Sequence, residues 1–166
     1  MSRGFVKEDD QEETPVIPPR AALPPGVTNY VTPEGMRLLL EEKEILEKEI
    51  RDLSITDEQA KRRAVNIITA KLNQLQERIV SARILDPKEQ PKDEVRFGAI
   101  VTYQFLQSSK RHTFQIVGVD EADVQNGKIA FVAPIARAIT GKSEGEEIDF
   151  KLGNETRKLK ILEIGY

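Results

Sequence analysis

Two apolar seams of equal length constrain this chain more than any other feature. Met36, Leu39, Lys43, Leu46, Ile50 and Leu53 step alternately by three and four residues, and Val65, Ile68, Leu72, Leu75, Ile79 and Ala82 repeat the pattern. Such steps keep side chains on one stripe of an α-helix, the a/d spacing of helices that pack along their length. Each seam covers 18 residues, or roughly 27 Å at about 1.5 Å per residue. Residues 34–52 carry seven acids and four bases, whereas residues 57–86 carry four acids and six bases. Opposite charge beside matched seams predicts an antiparallel helical hairpin, a short coiled coil over residues 32–86.

The punctuation agrees. Thr32-Pro33-Glu34 supplies an N-cap, a first-turn proline and a first-turn acid. Thr56-Asp57-Glu58-Gln59 fits a capping box for the second helix, and Asp86-Pro87 closes it. The tip then lies between residues 54 and 64. Lys43 interrupts an otherwise apolar seam and reads as a register device or a snorkelling side chain.

Before the hairpin, residues 1–31 form a distinct arm. Glu8-Asp9-Asp10 and Glu12-Glu13 precede Pro15, Pro18, Pro19, Pro24 and Pro25. So few packable groups among so many prolines predict an extended or disordered segment that orders only on a partner.

After residues 87–94, a linker, the period changes from helical to two. Val95, Phe97, Ala99, Val101, Tyr103 and Phe105 alternate with mostly polar neighbours, predicting one long strand. Further strands are expected over residues 113–119, 128–132, 147–152 and 158–164. Proline at 134 and glycine at 141 bracket a short helix. The expected class is α+β, a helical hairpin followed by a small antiparallel sheet with one helix over residues 95–166.

Composition limits the chemistry. Zero Cys removes disulfides and thiolate nucleophiles, and a single His, His112, leaves no His-rich metal site and no ordinary Ser-His-Asp triad. His112 sits in the polar stretch Ser108-Ser109-Lys110-Arg111 and reads as an exposed turn residue. Net charge of −3 lacks the overall basicity needed to grip phosphate backbone unaided, so contact with RNA is expected only indirectly, through a protein. No apolar run approaches the roughly 18 residues of a membrane span. A cytoplasmic, monomeric protein with no membrane contact is the expectation.

Several stretches resemble the Gre family of bacterial transcript-cleavage and elongation factors. They are Val95-Arg96-Phe97-Gly98-Ala99, Ile116-Val117-Gly118, Asp120-Glu121-Ala122-Asp123, Gly127-Lys128-Ile129, Pro134-Ile135-Ala136-Arg137, Gly141-Lys142 and Glu163-Ile164-Gly165-Tyr166. Thr32-Pro33-Glu34-Gly35 is similar to the start of the family's hairpin, and Ala82-Arg83-Ile84-Leu85-Asp86 to its end. The resemblance implies an FKBP-like C-terminal domain docked at the rim of the secondary channel of RNA polymerase, with the hairpin inserted toward the active centre. It also implies a regulator rather than an enzyme, without a cofactor of its own, that shares Mg²⁺ with the polymerase. In the family, two acids in a tip of the form Asp-Leu-Lys-Glu-Asn-Ala-Glu-Tyr help hold that ion and a water. Mg²⁺ is a hard cation that takes one or two carboxylates and can activate water.

Here Asp52-Leu53 overlays the first two tip positions, but Ser54, Ile55 and Thr56 follow, so the second acid is missing in that register. Asp57 and Glu58 are the substitutes within reach, giving Asp52, Asp57 and Glu58 as candidate metal-directed carboxylates. First-turn acids are equally explained by the helix dipole. Lys61, Arg62 and Arg63 are candidate contacts to RNA, nucleotide phosphate or an acidic channel wall, or else a solvated face. Pro134, Ile135 and Arg137, with Asp120, are the candidate docking residues. Two other functions stay open: prolyl isomerisation, on fold alone, and a coiled-coil interaction module with the proline-rich arm as a recruited peptide.

Overall fold

The computed structural model describes residues 14–166. The arm's acids Glu8, Asp9, Asp10, Glu12 and Glu13 lie outside the described residues.

The chain is a mixed α and β molecule with a helical part and an antiparallel-rich sheet. Helix α1 (Pro33–Arg51) starts where the sequence predicts, with Thr32 as N-cap accepting the Gly35 N–H at 2.9 Å. Helix α2 (Glu58–Ser81) starts one residue later than the capping-box reading, because the Asp57 carboxylate, not the Thr56 hydroxyl, accepts the Ala60 N–H. It also ends sooner. Residues expected to continue toward Asp86 instead form strand β2 (Ala82–Ile84), parallel to strand β1 (Asn29–Val31). The Asn29 amide donates to the Arg78 carbonyl and to the Ser81 hydroxyl, satisfying the helix end, and Leu85 N–H bonds Val31 O.

Because β1 leads into α1 and β2 leaves α2, pairing Asn29 with Ala82 holds the start of α1 and the end of α2 together. Residues 52–57 lie at the opposite end. Between them Leu39, Leu46, Ile68 and Leu75 are buried with Val31, flanked by Met36, Ile50, Leu53, Leu72, Ile79 and Ala82. These are the positions picked out by the spacing, with Val31 added from the supposed arm. Lys43 leaves the seam, its ammonium 3.9 Å from Glu47.

A 3₁₀ turn at Pro87–Glu89, capped by Asp86, leads to the sheet. Its strands are β3 (Ile100–Phe105), β4 (Arg111–Val117), β5 (Lys128–Ala130), β6 (Glu147–Leu152) and β7 (Glu155–Gly165), in the order β5-β4-β3-β7-β6. All neighbours are antiparallel except β4 and β5, which are parallel. Helix α3 (Pro134–Ile139) packs beside β6.

The long strand expected from Val95 begins only at Ile100. Gly98 sits at φ 87, a left-handed turn that breaks the extended run, and Pro87 lies in the space where its Cβ would be. The alternation still identified the inside face: Val95, Ala99, Val101 and Tyr103 are all buried, with Ile116, Ala136, Ile139, Leu159 and Ile161 around them. His112 also departs from expectation. It is half-buried and stacks on Tyr103, ring centroids 5.3 Å apart, because it faces Tyr103 in the β3–β4 register.

The helical part meets the sheet at a tight joint. Tyr30 of β1 joins Phe97 and Phe131 in a triangle of rings with centroids 5.7 to 6.1 Å apart. A Cβ on Gly118 would stand 2.7 Å from the Tyr30 carbonyl oxygen, so no larger residue fits there without moving β1. Among the described residues, no helix is long and apolar enough to cross a membrane.

Candidate functional site

The far end of the helix pair is built from six residues. Leu53 turns inward to the helical core, while Ser54, Ile55 and Thr56 are exposed in irregular backbone. Asp52 is the C-cap of α1, its N–H bonded to the Lys48 carbonyl at 2.9 Å. Its carboxylate is exposed at the end of α1.

Asp57 is exposed but occupied, because one carboxylate oxygen lies 2.7 Å from the Ala60 nitrogen. Carboxylates favour this position because the first turn of a helix leaves N–H groups without partners and carries partial positive charge. Glu58 follows in that first turn, exposed. Lys61, Arg62 and Arg63 lie one turn further along, exposed on α2. The three tip acids therefore sit on two helix ends, one of them engaged as a cap. Among the described residues, no three acidic or histidine side chains gather in a way that would hold a metal.

On the sheet part, Pro134 opens α3 with Ala133 as an N-cap that offers no side-chain bond. Pro134 and Arg137 are exposed, whereas Ile135 is half-buried against the sheet core.

Asp120 lies elsewhere. Its side chain is only 7% exposed, with Arg20 Nε bonded at 2.9 Å and Arg78 Nε 3.5 Å from the other oxygen. Asp120 is thus enclosed within the joint between the helical part and the sheet part. Arg20 also grips Glu42 with two N–H bonds, at 2.8 and 3.0 Å. That bond with Glu42 holds the guanidinium pKa above its ordinary value, with burial opposing and Asp120 adding to it.

Next to it, Glu121 is buried and accepts the Thr32 hydroxyl, while Lys128 reaches its second oxygen at 3.2 Å. Sequence reading missed Arg20, Glu42, Arg78 and Glu121 as a group. The one signal was Arg20 itself, a lone base between Pro18-Pro19 and Ala21-Ala22.

Residues 90–166 match a family model described as the C-terminal part of the transcription elongation factors GreA/GreB. The chain is 32% identical over 151 residues to transcription elongation factor GreA of Thermodesulfovibrio yellowstonii, covering 82% of this chain and 96% of that one. It is 35% identical over 117 residues to the GreA of Neisseria meningitidis serogroup A, covering 69% and 74%. Among solved structures it is similar to a prokaryotic GreA/GreB elongation factor from Nitrosomonas europaea, at 21% identity over 84% of this chain and 99% of that one. The TM-score is 0.41, too loose a superposition to fix how the parts are arranged.

Proposed function

The chain belongs to the GreA/GreB family of transcription elongation factors, and from that premise we propose that it binds bacterial RNA polymerase and regulates elongation by occupying the secondary channel. In this reading α1 and α2 are a coiled-coil hairpin that enters the channel, and the FKBP-like sheet domain anchors it at the rim through Pro134 and Arg137. The protein carries no reaction of its own.

One observation favours filling the channel over stimulating transcript cleavage. Asp57, the acid that would replace the missing tip carboxylate, has one oxygen engaged by the Ala60 N–H as the cap of α2. With Asp57 engaged as a cap, Glu58 beside it on α2 and Asp52 on the other helix, the arrangement supports occupancy over delivery of Mg²⁺. Lys61 and Arg63 then supply positive charge where channel walls or nucleotide phosphates are acidic.

Halted elongation complexes test this directly. Saturating protein is expected to leave cleavage of backtracked RNA unaccelerated and to inhibit a cleavage-active Gre factor competitively. Acceleration lost in both Asp57→Ala and Glu58→Ala would overturn the occupancy branch, and no polymerase binding at micromolar concentration would overturn the whole reading. Prolyl isomerisation gains no support from the family, and turnover on a proline peptide would be needed to revive it.

A further inference from the structure

The segment between residue 14 and β1 is not a free arm. From Arg20 onward it lies across the joint, and Arg20 reaches three elements from one guanidinium: Glu42 on α1 with two bonds, Asp120 after β4 with a third, and α2 through Asp120's contact with Arg78. The Arg78 guanidinium in turn donates to the Ala21 carbonyl, so the arm is held from both sides. Arg20, Arg78 and Asp120 side chains are 19%, 14% and 7% exposed. The Arg20–Asp120 pair is screened far less than a surface pair, whereas Glu42 is 43% exposed and is held chiefly by the direction that a bidentate fork imposes.

Geometry adds a reason why the contact matters. The helix pair meets the sheet at its base, where Tyr30 packs on Phe97 and Phe131, Thr32 meets Glu121 and Arg78 meets Asp120. A lever held at one end swings about that end unless something braces it from the side. Glu42 lies more than two turns up α1 from Thr32, so Arg20 ties the lever off its pivot.

We propose that residues 14–28 are a strap, with Arg20 as its clasp, that fixes the direction in which the helix pair leaves the sheet. With the clasp closed the two parts move as one body. With it open, the pair turns about the ring cluster at Tyr30. The strap is a property of the isolated chain and does not depend on polymerase binding.

Spin labels read this without interference, since the chain has no native Cys. Ser54→Cys at the tip and Ser109→Cys in the exposed β3–β4 turn are labelled in the full chain, and the distance distribution is measured by double electron–electron resonance. One narrow peak is expected. Arg20→Ala is expected to raise the displaced population from below roughly a tenth to about half, a change of about tenfold in a two-state equilibrium. Arg20→Lys keeps the charge but loses the planar fork that grips Glu42 with two bonds while Nε holds Asp120, so it too is expected to broaden the peak.

A broad distribution in the parent chain, or a parent-like peak in an Arg20→Ala chain with unchanged helix content by circular dichroism, overturns the strap. Should Arg20→Ala lose helix content, Arg20→Lys is judged by the same criterion.

Discussion

Thr32 donates its hydroxyl proton to the buried Glu121 carboxylate while accepting the Gly35 N–H at 2.9 Å. One hydroxyl therefore caps α1 and joins that helix to the sheet part, two tasks that usually fall to different side chains. The carboxylate also stands near the positive end of α1, where negative charge is favoured.

Removing the hydroxyl tests both tasks. Thr32→Val keeps the shape, leaves Gly35 without its cap and deprives a buried oxygen of its donor. A loss of about 2 kcal/mol is expected from cap and carboxylate together. Urea unfolding measures it, and a loss under about 0.5 kcal/mol, the scale of a neutral surface change, would show that the bond is idle.

Gly35→Ala should have the wrong sign for a helix. Alanine normally stabilises a helix interior by up to about 1 kcal/mol over glycine. Here its Cβ would stand 2.7 Å from Glu121 Oε2, an oxygen held by Thr32 while Lys128 holds its neighbour. The substitution is expected to destabilise the parent by about 1 kcal/mol or more but to stabilise a Glu121→Ala background, a coupling that a double-mutant cycle reads directly. Equal effects in both backgrounds would mean that the carboxylate moves aside freely.

At the tip, capping and charge are separable. Asp57→Ser retains an N-cap oxygen and should unfold within about 0.5 kcal/mol of the parent, whereas Asp57→Ala should lose about 1 kcal/mol. If the two variants are equally stable, the bond to Ala60 contributes nothing and Asp57 is available for another purpose.

Tyr166 closes the sheet part from the C-terminus. Its phenol donates to the Glu94 carbonyl at 2.7 Å and accepts the Arg96 N–H at 2.8 Å. Burial raises its pKa above the ordinary value of 10.0, more than the Arg96 bond lowers it. Folding thus favours the protonated phenol, so its contribution is complete below pH 10 and is lost as pH rises through the folded-state value. Tyr166→Phe should cost about 1 kcal/mol at neutral pH. In an absorbance titration it should also remove a phenolate component that ionises later than that of free tyrosine. A titration unchanged by the substitution would contradict the burial assigned to this ring.

The helix pair was legible because its information is local: steps of three and four, a cap and a proline define it within one stretch of chain. The inside face of the sheet was legible for the same reason, although Gly98 ended the strand earlier than alternation alone suggests. What escaped the sequence is long-range. Arg20 and Asp120 are 100 positions apart and Thr32 and Glu121 are 89, and no periodicity links such pairs. Local patterns also misassigned competition between neighbours. Thr56 and Asp57 both suit a cap, and only the fold chooses the carboxylate. Of the candidate site, the acids and bases at the tip were readable, but which acid is already engaged was not.

The short parallel pairing of β1 with β2 seals the mouth of a 54-residue stalk, from Asn29 at one lip to Ala82 at the other. The seal sits at that mouth and the Arg20 grip on Glu42 lies in the half of α1 nearest to it, so the stalk's reach beyond Glu42 is an adjustable dimension. Seven residues inserted in each limb would advance the far end by about 10 Å while leaving the seal as it stands. Reach and attachment can therefore be altered one without the other.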